Sequence, residues 1–131
     1  MQTLQKQRAR FALEKVKAAL ADANISAKEF KSQAESFPAM IRMNGLGQAA
    51  AFYLSKGGAH GRLYKLLSDW LKEPNQPYQG KELLVGITGE DMLAYRLAQA
   101  EALLLLDWVK KFAKAFVEDD QQASNPPEVQ P

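Results

Sequence analysis

His60 is the single histidine of the chain, and cysteine is absent. A nucleophilic or acid–base site needs a base, a nucleophile and an orienting group that converge, so any Ser-His-Asp arrangement here rests on that one imidazole. Gly57, Gly58 and Gly61 flank it, which predicts a flexible connection carrying a solvent-exposed or capping histidine. No histidine pair or acidic cluster has the spacing of a metal site. Glu90-Asp91 reads more simply as the start of a helix, where negative charge meets the positive end of the dipole. Gly45, Gly47, Gly57, Gly58 and Gly61 follow helix-like rather than strand-like segments, so neither a P-loop nor a dinucleotide fingerprint is present. The expectation is a chain that is not an enzyme and uses no metal or cofactor.

Cations are the other residues able to do chemistry. The balance of 17 Lys and Arg against 15 Asp and Glu leaves a net charge of only +2, so any nucleic-acid contact depends on where the charges cluster. On a helical wheel Lys6, Arg10 and Lys17 fall within about 40° of one another. Arg96, Lys110 and Lys114 form a second stripe, with Lys111 nearby. Such stripes can track phosphates without reading bases. Arg10, Arg42 and Arg96 are the stronger candidates, because a guanidinium meets a phosphate with two parallel donors. The competing reading for the lysines is a solvated helix face, since Asp107 precedes Lys110 by three residues. For Arg42, contact with RNA or a partner and an internal bond to carbonyls at a helix junction both remain open. Trp70, Trp108 and Phe112 are conceivable base-stacking platforms, but they lie in apolar stripes and read as core.

The elements that must position these residues are helical. Gln2 to about Ala23 contains no Gly or Pro, and Ala9, Ala12, Leu13, Val16, Ala19 and Leu20 mark one face. Ser26 with Glu29 forms a capping-box pattern that opens a second helix. Pro38 kinks or restarts that helix, with Ser36 as a potential new cap, and Asn44-Gly45 ends it. Gly45 suits the left-handed backbone of a helix end, Leu46 the accompanying apolar contact, and Gln48 the unpaired donors of the following turn. Further helices are predicted from Gln48 to about Ser55 and from about Arg62 to Lys72. Glu73 to Gly80 is a loop by composition, and Lys81 to Thr88 leans to helix. The longest helix starts at Thr88 or Gly89 and runs to about Val117. Leu93, Leu97, Ala100, Leu104 and Trp108 form a narrow seam along it, while Leu103, Leu105 and Leu106 make its middle apolar all round, as in a buried central helix.

The fold class is therefore all-α, a single compact bundle of five or six helices over residues 1–117. Residues 118–131 are acidic, then Pro-rich, and are expected to be a disordered tail. Hydrophobic residues make up 47% of the chain, enough for a core. The N-terminus lacks the apolar stretch of a secretory signal, and the longest apolar run, Ala102 to Leu106, is far below a membrane span. Together with the missing cysteines, this makes a cytoplasmic location the expectation.

Two blocks resemble a known family. The run Phe37-Pro38-Ala39-Met40-Ile41-Arg42-Met43-Asn44-Gly45-Leu46-Gly47-Gln48-Ala49-Ala50-Ala51-Phe52 resembles the hallmark of the small, fifth subunit of type III-B (Cmr) CRISPR RNA-guided complexes. The second block is Tyr95-Arg96, then Glu101, Leu104, Trp108, Lys110, Phe112 and Ala113. The resemblance spans about residues 8–117, while residues 73–86 and 118–131 depart from it. It implies a subunit stacked in several copies beside the backbone subunits that grip the guide RNA. Such a subunit helps to shape the target-RNA channel while another subunit cleaves. The RNA-contact candidates are Arg10, Lys17, Arg42, Arg96, Lys110, Lys111 and Lys114. A stand-alone helical adaptor that binds a protein and no RNA is the alternative.

Overall fold

The computed structural model describes residues 3–117, and every regular element among them is helical. The order is α1 (Leu4–Ala21), α2 (Ala27–Lys56), α3 (Gly58–Leu71), α4 (Leu83–Gly89) and α5 (Met92–Phe116). The expected tail, residues 118–131, lies outside the described residues.

The helix starts follow side-chain capping. Thr3 accepts from the Lys6 amide at 3.1 Å, Ser26 from Glu29 at 3.2 Å and Asp91 from Ala94 at 2.9 Å. Asp91 is thus the cap of α5, not part of an acidic first turn. Glu82 caps α4 through the amides of Leu84 and Val85, which realises the helix expected after Lys81.

α2 holds the largest departure from a rod. Its helix passes through Pro38 without a restart, and Ser36 is no cap, because its hydroxyl donates to the Ser32 carbonyl at 3.2 Å. The break falls at Gly45, with φ 87° and ψ 158°. In a straight helix Phe37 and Tyr53 would stand about 24 Å apart. Their rings instead stack with centroids 3.9 Å apart, and the Tyr53 hydroxyl donates to the Gln33 carbonyl at 3.1 Å. α2 is therefore two arms, 27–44 and 46–56, folded back on each other. The two helices expected on either side of Asn44-Gly45 are these arms.

α3 begins earlier than its sequence suggests, because the glycines around His60 are accommodated in its first turn. His60 is consequently helical and half-buried, packed against Tyr53 at 4.8 Å and edge-on to Phe52 at 6.0 Å.

The core gathers between the arms of α2, α3 and one face of α5, with α1 closing it. Val16, Phe30, Phe37, Ile41, Leu46, Tyr53, Leu63, Leu67, Leu71, Leu105 and Leu106 are fully buried. α5 packs through Ala98, Ala102, Leu105, Leu106, Val109 and Ala113. It is not buried all round as its composition suggests: Leu93, Leu97 and Leu104 are 64%, 53% and 50% exposed. The described chain packs on only one side of the helix.

Tyr78 locks the 73–82 connection by lying under α4. A Cβ on Gly86 would fall 2.4 Å from the Tyr78 ring. The nearest atoms belong to a rigid ring that is itself 1% exposed. Gly86→Ala is expected to destabilise the chain by about 3 kcal/mol, the upper part of the overpacking range, read as a drop in chemical-denaturation midpoint.

Burial pushes the phenols of Tyr53 and Tyr78 up to about 12. Both therefore hold their protons more tightly when folded than at their ordinary value near 10. Their stabilisation is complete below pH ~10 and is lost as pH rises towards ~12. Thermal melts across that window should fall steeply. Tyr53→Phe should flatten part of the fall.

Candidate nucleic-acid interface

The two sequence blocks that carry the family resemblance meet in space. The turn at Gly45 leaves the amides of Leu46 and Gly47 without helical partners, and α5 supplies both acceptors. Gln99 Oε1 accepts from the Leu46 amide at 2.9 Å, and the Tyr95 hydroxyl accepts from the Gly47 amide at 3.0 Å. The expectation that Gln48 satisfies these donors is thereby corrected: its side chain is exposed. Leu46 itself is fully buried, as expected for the contact beside the turn.

Arg42 precedes this turn on α2, and Arg96 follows Tyr95 on α5. Both are exposed. Neither has a hydrogen-bond or ion-pair partner among the described residues, so the internal carbonyl bond considered for Arg42 is not made. Arg96 borders a recess of about 290 Å³ shared with Tyr95, Gln99, Ala100 and Leu103. The turn thus fixes two arginine-bearing helices against each other while leaving both guanidinium groups to solvent.

The remaining candidates gather along α5 and its junction with α1. Lys114 is exposed in the last turn of α5, and Lys110 is half-buried. From Arg96 to Lys114 the stripe spans about 27 Å of helix. Lys111 is partly neutralised by Asp107 at 3.0 Å, an exposed pair separated by one helical turn. Lys17 on α1 approaches this end, with its Nζ 5.9 Å from the Phe116 ring centroid. Arg10 is also exposed on α1 and makes contacts of its own.

Beneath this surface a charged node joins three helices. Glu101 Oε2 accepts from Arg8 Nε at 2.6 Å and from the Trp70 indole at 2.8 Å, while Oε1 accepts from Arg8 Nη2 at 2.9 Å. The hydrogen bond to Glu101 raises the Arg8 pKa above its ordinary value despite partial burial. Trp70 is accordingly a core residue. Trp108 and Phe112 are half-buried and stack on each other at 5.6 Å.

One cationic group was not anticipated. Asp69 on α3 lies within 4 Å of three lysines: Lys15 at 3.8 Å, Lys65 at 3.2 Å and Lys72 at 3.6 Å. Arg62 joins Lys15 and Lys65 in lining a groove between α1 and α3 while bonding Asp22 at 2.8 Å. The Asp22 carboxyl lies below the usual carboxylate range, first because it accepts from the Asn24 amide and then from Arg62. The signal was the one-turn spacing of Lys65, Asp69 and Lys72; the contribution of α1 was invisible without the fold. Among the described residues no group of three or more His, Cys, Asp or Glu is arranged to hold a metal ion. No helix among the described residues is long and apolar enough to cross a membrane.

This architecture has known counterparts. The chain is 30% identical over 91 residues to the CRISPR system Cmr subunit Cmr5 of Thermus thermophilus, covering 70% of this chain and 77% of that protein. It also superimposes on the X-ray crystal structure of a CRISPR-associated Cmr5 family protein from the same organism, with a TM-score of 0.76 and 31% identity. That match covers 89% of this chain and the whole of the solved one. The family model for CRISPR-associated protein (Cas_Cmr5) matches residues 4–116, which includes the Gly45 turn and the whole of α5 that satisfies it. This chain belongs to the Cas_Cmr5 family, the small subunits of type III-B Cmr complexes.

Proposed function

We propose that the chain is a structural subunit, without catalytic activity of its own, of a cytoplasmic type III-B CRISPR ribonucleoprotein complex used in antiviral defence. Several copies lie along the complex beside its backbone subunits and the guide RNA, and hold target RNA through phosphate contacts. The observation that carries this reading is the pair Arg42 and Arg96, exposed and without partners among the described residues, on two helices fixed by the Gly45 turn. Two guanidinium groups carried on helices held against each other suit a phosphate chain and do not by themselves read bases. Lys110, Lys111 and Lys114 extend the contact along α5, and Arg10 and Lys17 extend it onto α1. Individually weak contacts gain strength because repeated copies share one strand.

The test is binding of single-stranded RNA by the purified chain across a salt series. The expected logarithmic slope is about −0.7 per phosphate neutralised. Arg42→Ala, and separately Lys110→Ala/Lys114→Ala, should weaken binding about equally for unrelated sequences and make the slope shallower. Unchanged binding in both variants contradicts this assignment of residues. The exposed leucines of α5 favour a second reading, a protein adaptor without RNA contact. That reading requires no RNA binding even at low salt.

A further inference from the structure

The outward face of α5 carries a feature that phosphate contact does not use. Leu93, Leu97, Ala100 and Leu104 follow 4-3-4 spacing and fall within about 60° of one another on the helix. The three leucines are at least half exposed. This is the narrow apolar seam that one helix offers another, opposite the face that α5 buries in its own core.

The charges around the seam identify the second helix. Arg96 stands within the seam's span and Asp107 just beyond its C-terminal end, both exposed. An antiparallel copy turned about the point between Ala100 and Glu101 brings Leu97 level with Leu104 of the second copy. Leu93 comes level with Trp108 of the second copy. Arg96 and Asp107 share one edge of the seam, and like edges face each other in an antiparallel pair. Arg96 therefore lies about two residues, or 3 Å of rise, from Asp107 of the second copy. A parallel pair in register instead sets Arg96 level with Arg96 and Asp107 level with Asp107 of the second copy.

We infer that α5 of this chain pairs with α5 of a second copy, antiparallel and two-fold symmetric, through Leu93, Leu97, Ala100 and Leu104. The contact is isologous and closes after two copies, so it differs from the open-ended stacking of copies along a complex. It covers Arg96, so the paired form withholds that end of the α5 stripe. This pairing goes beyond the RNA reading and stands or falls without it.

Sedimentation equilibrium of the full chain without RNA, over roughly a hundredfold range of concentration, tests it. A monomer–dimer equilibrium is expected. Leu97→Glu/Leu104→Glu should weaken association by about a hundredfold, because it buries unpaired carboxylates in the seam. Leu54→Glu, at an exposed leucine on α2, should leave association unchanged. Arg96→Glu and Asp107→Arg should each weaken pairing, and the two together in one chain should restore it by re-forming the reversed pair. The charge exchange decides the matter even if the double leucine variant fails to fold. A chain that stays monomeric throughout, assembles without limit, or associates equally well in the leucine variant overturns the inference. So does failure of the charge exchange to restore pairing.

Discussion

Glu101→Ala is expected to destabilise the chain by about 3–5 kcal/mol, the cost of leaving a partly buried cation and a buried indole N–H without their acceptor. Glu101 is a buried carboxylate that accepts from Arg8 on α1 and Trp70 on α3. Removing it releases α1 from α5 and α3 together. The thermal midpoint should fall by roughly 10–20 °C for a domain of this size. Arg8→Met/Glu101→Leu should recover much of the loss. Replacing both ions of a buried pair by apolar groups removes their desolvation penalty. An equal loss in single and double variants would show that the charges contribute little and that packing volume is what matters.

The second large effect falls on the turn. Gly45→Ala is expected to cost about 1–3 kcal/mol in backbone strain alone, because positive φ with extended ψ is a conformation essentially restricted to glycine. The added Cβ would also sit 3.2 Å from the Tyr95 hydroxyl, the group that accepts from the Gly47 amide. Displacing it adds about 1 kcal/mol for that hydrogen bond. Tyr95→Phe removes the acceptor without straining the backbone, so it should cost less than Gly45→Ala. Chemical denaturation of the two variants separates strain from hydrogen bonding. Near-equal losses would assign the effect to the hydrogen bond rather than to the turn.

Much of this fold was legible in the chain because its signals were local. Ser26 and Glu29 marked the start of α2, Asn44-Gly45 marked the end of its first arm, and the helix expected from about Arg62 to Lys72 is most of α3. All are short-range patterns of capping, glycine backbone and helical period. The misreadings arose where distant residues decide. Gly57, Gly58 and Gly61 suggested a loop around His60, yet contact of its ring with Phe52 and Tyr53 accompanies an extra helical turn. The apolar run in α5 suggested burial on every side, but a run cannot reveal how many neighbours exist to cover it. Gln99 and Tyr95, which complete the turn, lie about fifty residues from it. Glu101 looked like one residue of a motif until α1 and α3 were placed against it.

The candidate surface was legible to a lesser degree. Arg42 and Arg96 were found from residue type and position, but their shared dependence on one turn is a tertiary property. The Lys111–Asp107 pair shows the opposite case, in which a lysine read as part of a phosphate-tracking stripe has a local partner. Arg62 and the lysines around Asp69 were missed because they converge from α1 and α3.

Target-RNA affinity of the assembled effector complex, compared between wild type and Arg42→Ala/Arg96→Ala, tests the central claim most directly. The expected result is a loss of about tenfold or more that is nearly independent of target sequence, with full incorporation of the variant and a shallower salt dependence. Unchanged affinity and salt dependence in a fully assembled variant complex would contradict phosphate contact by these arginines.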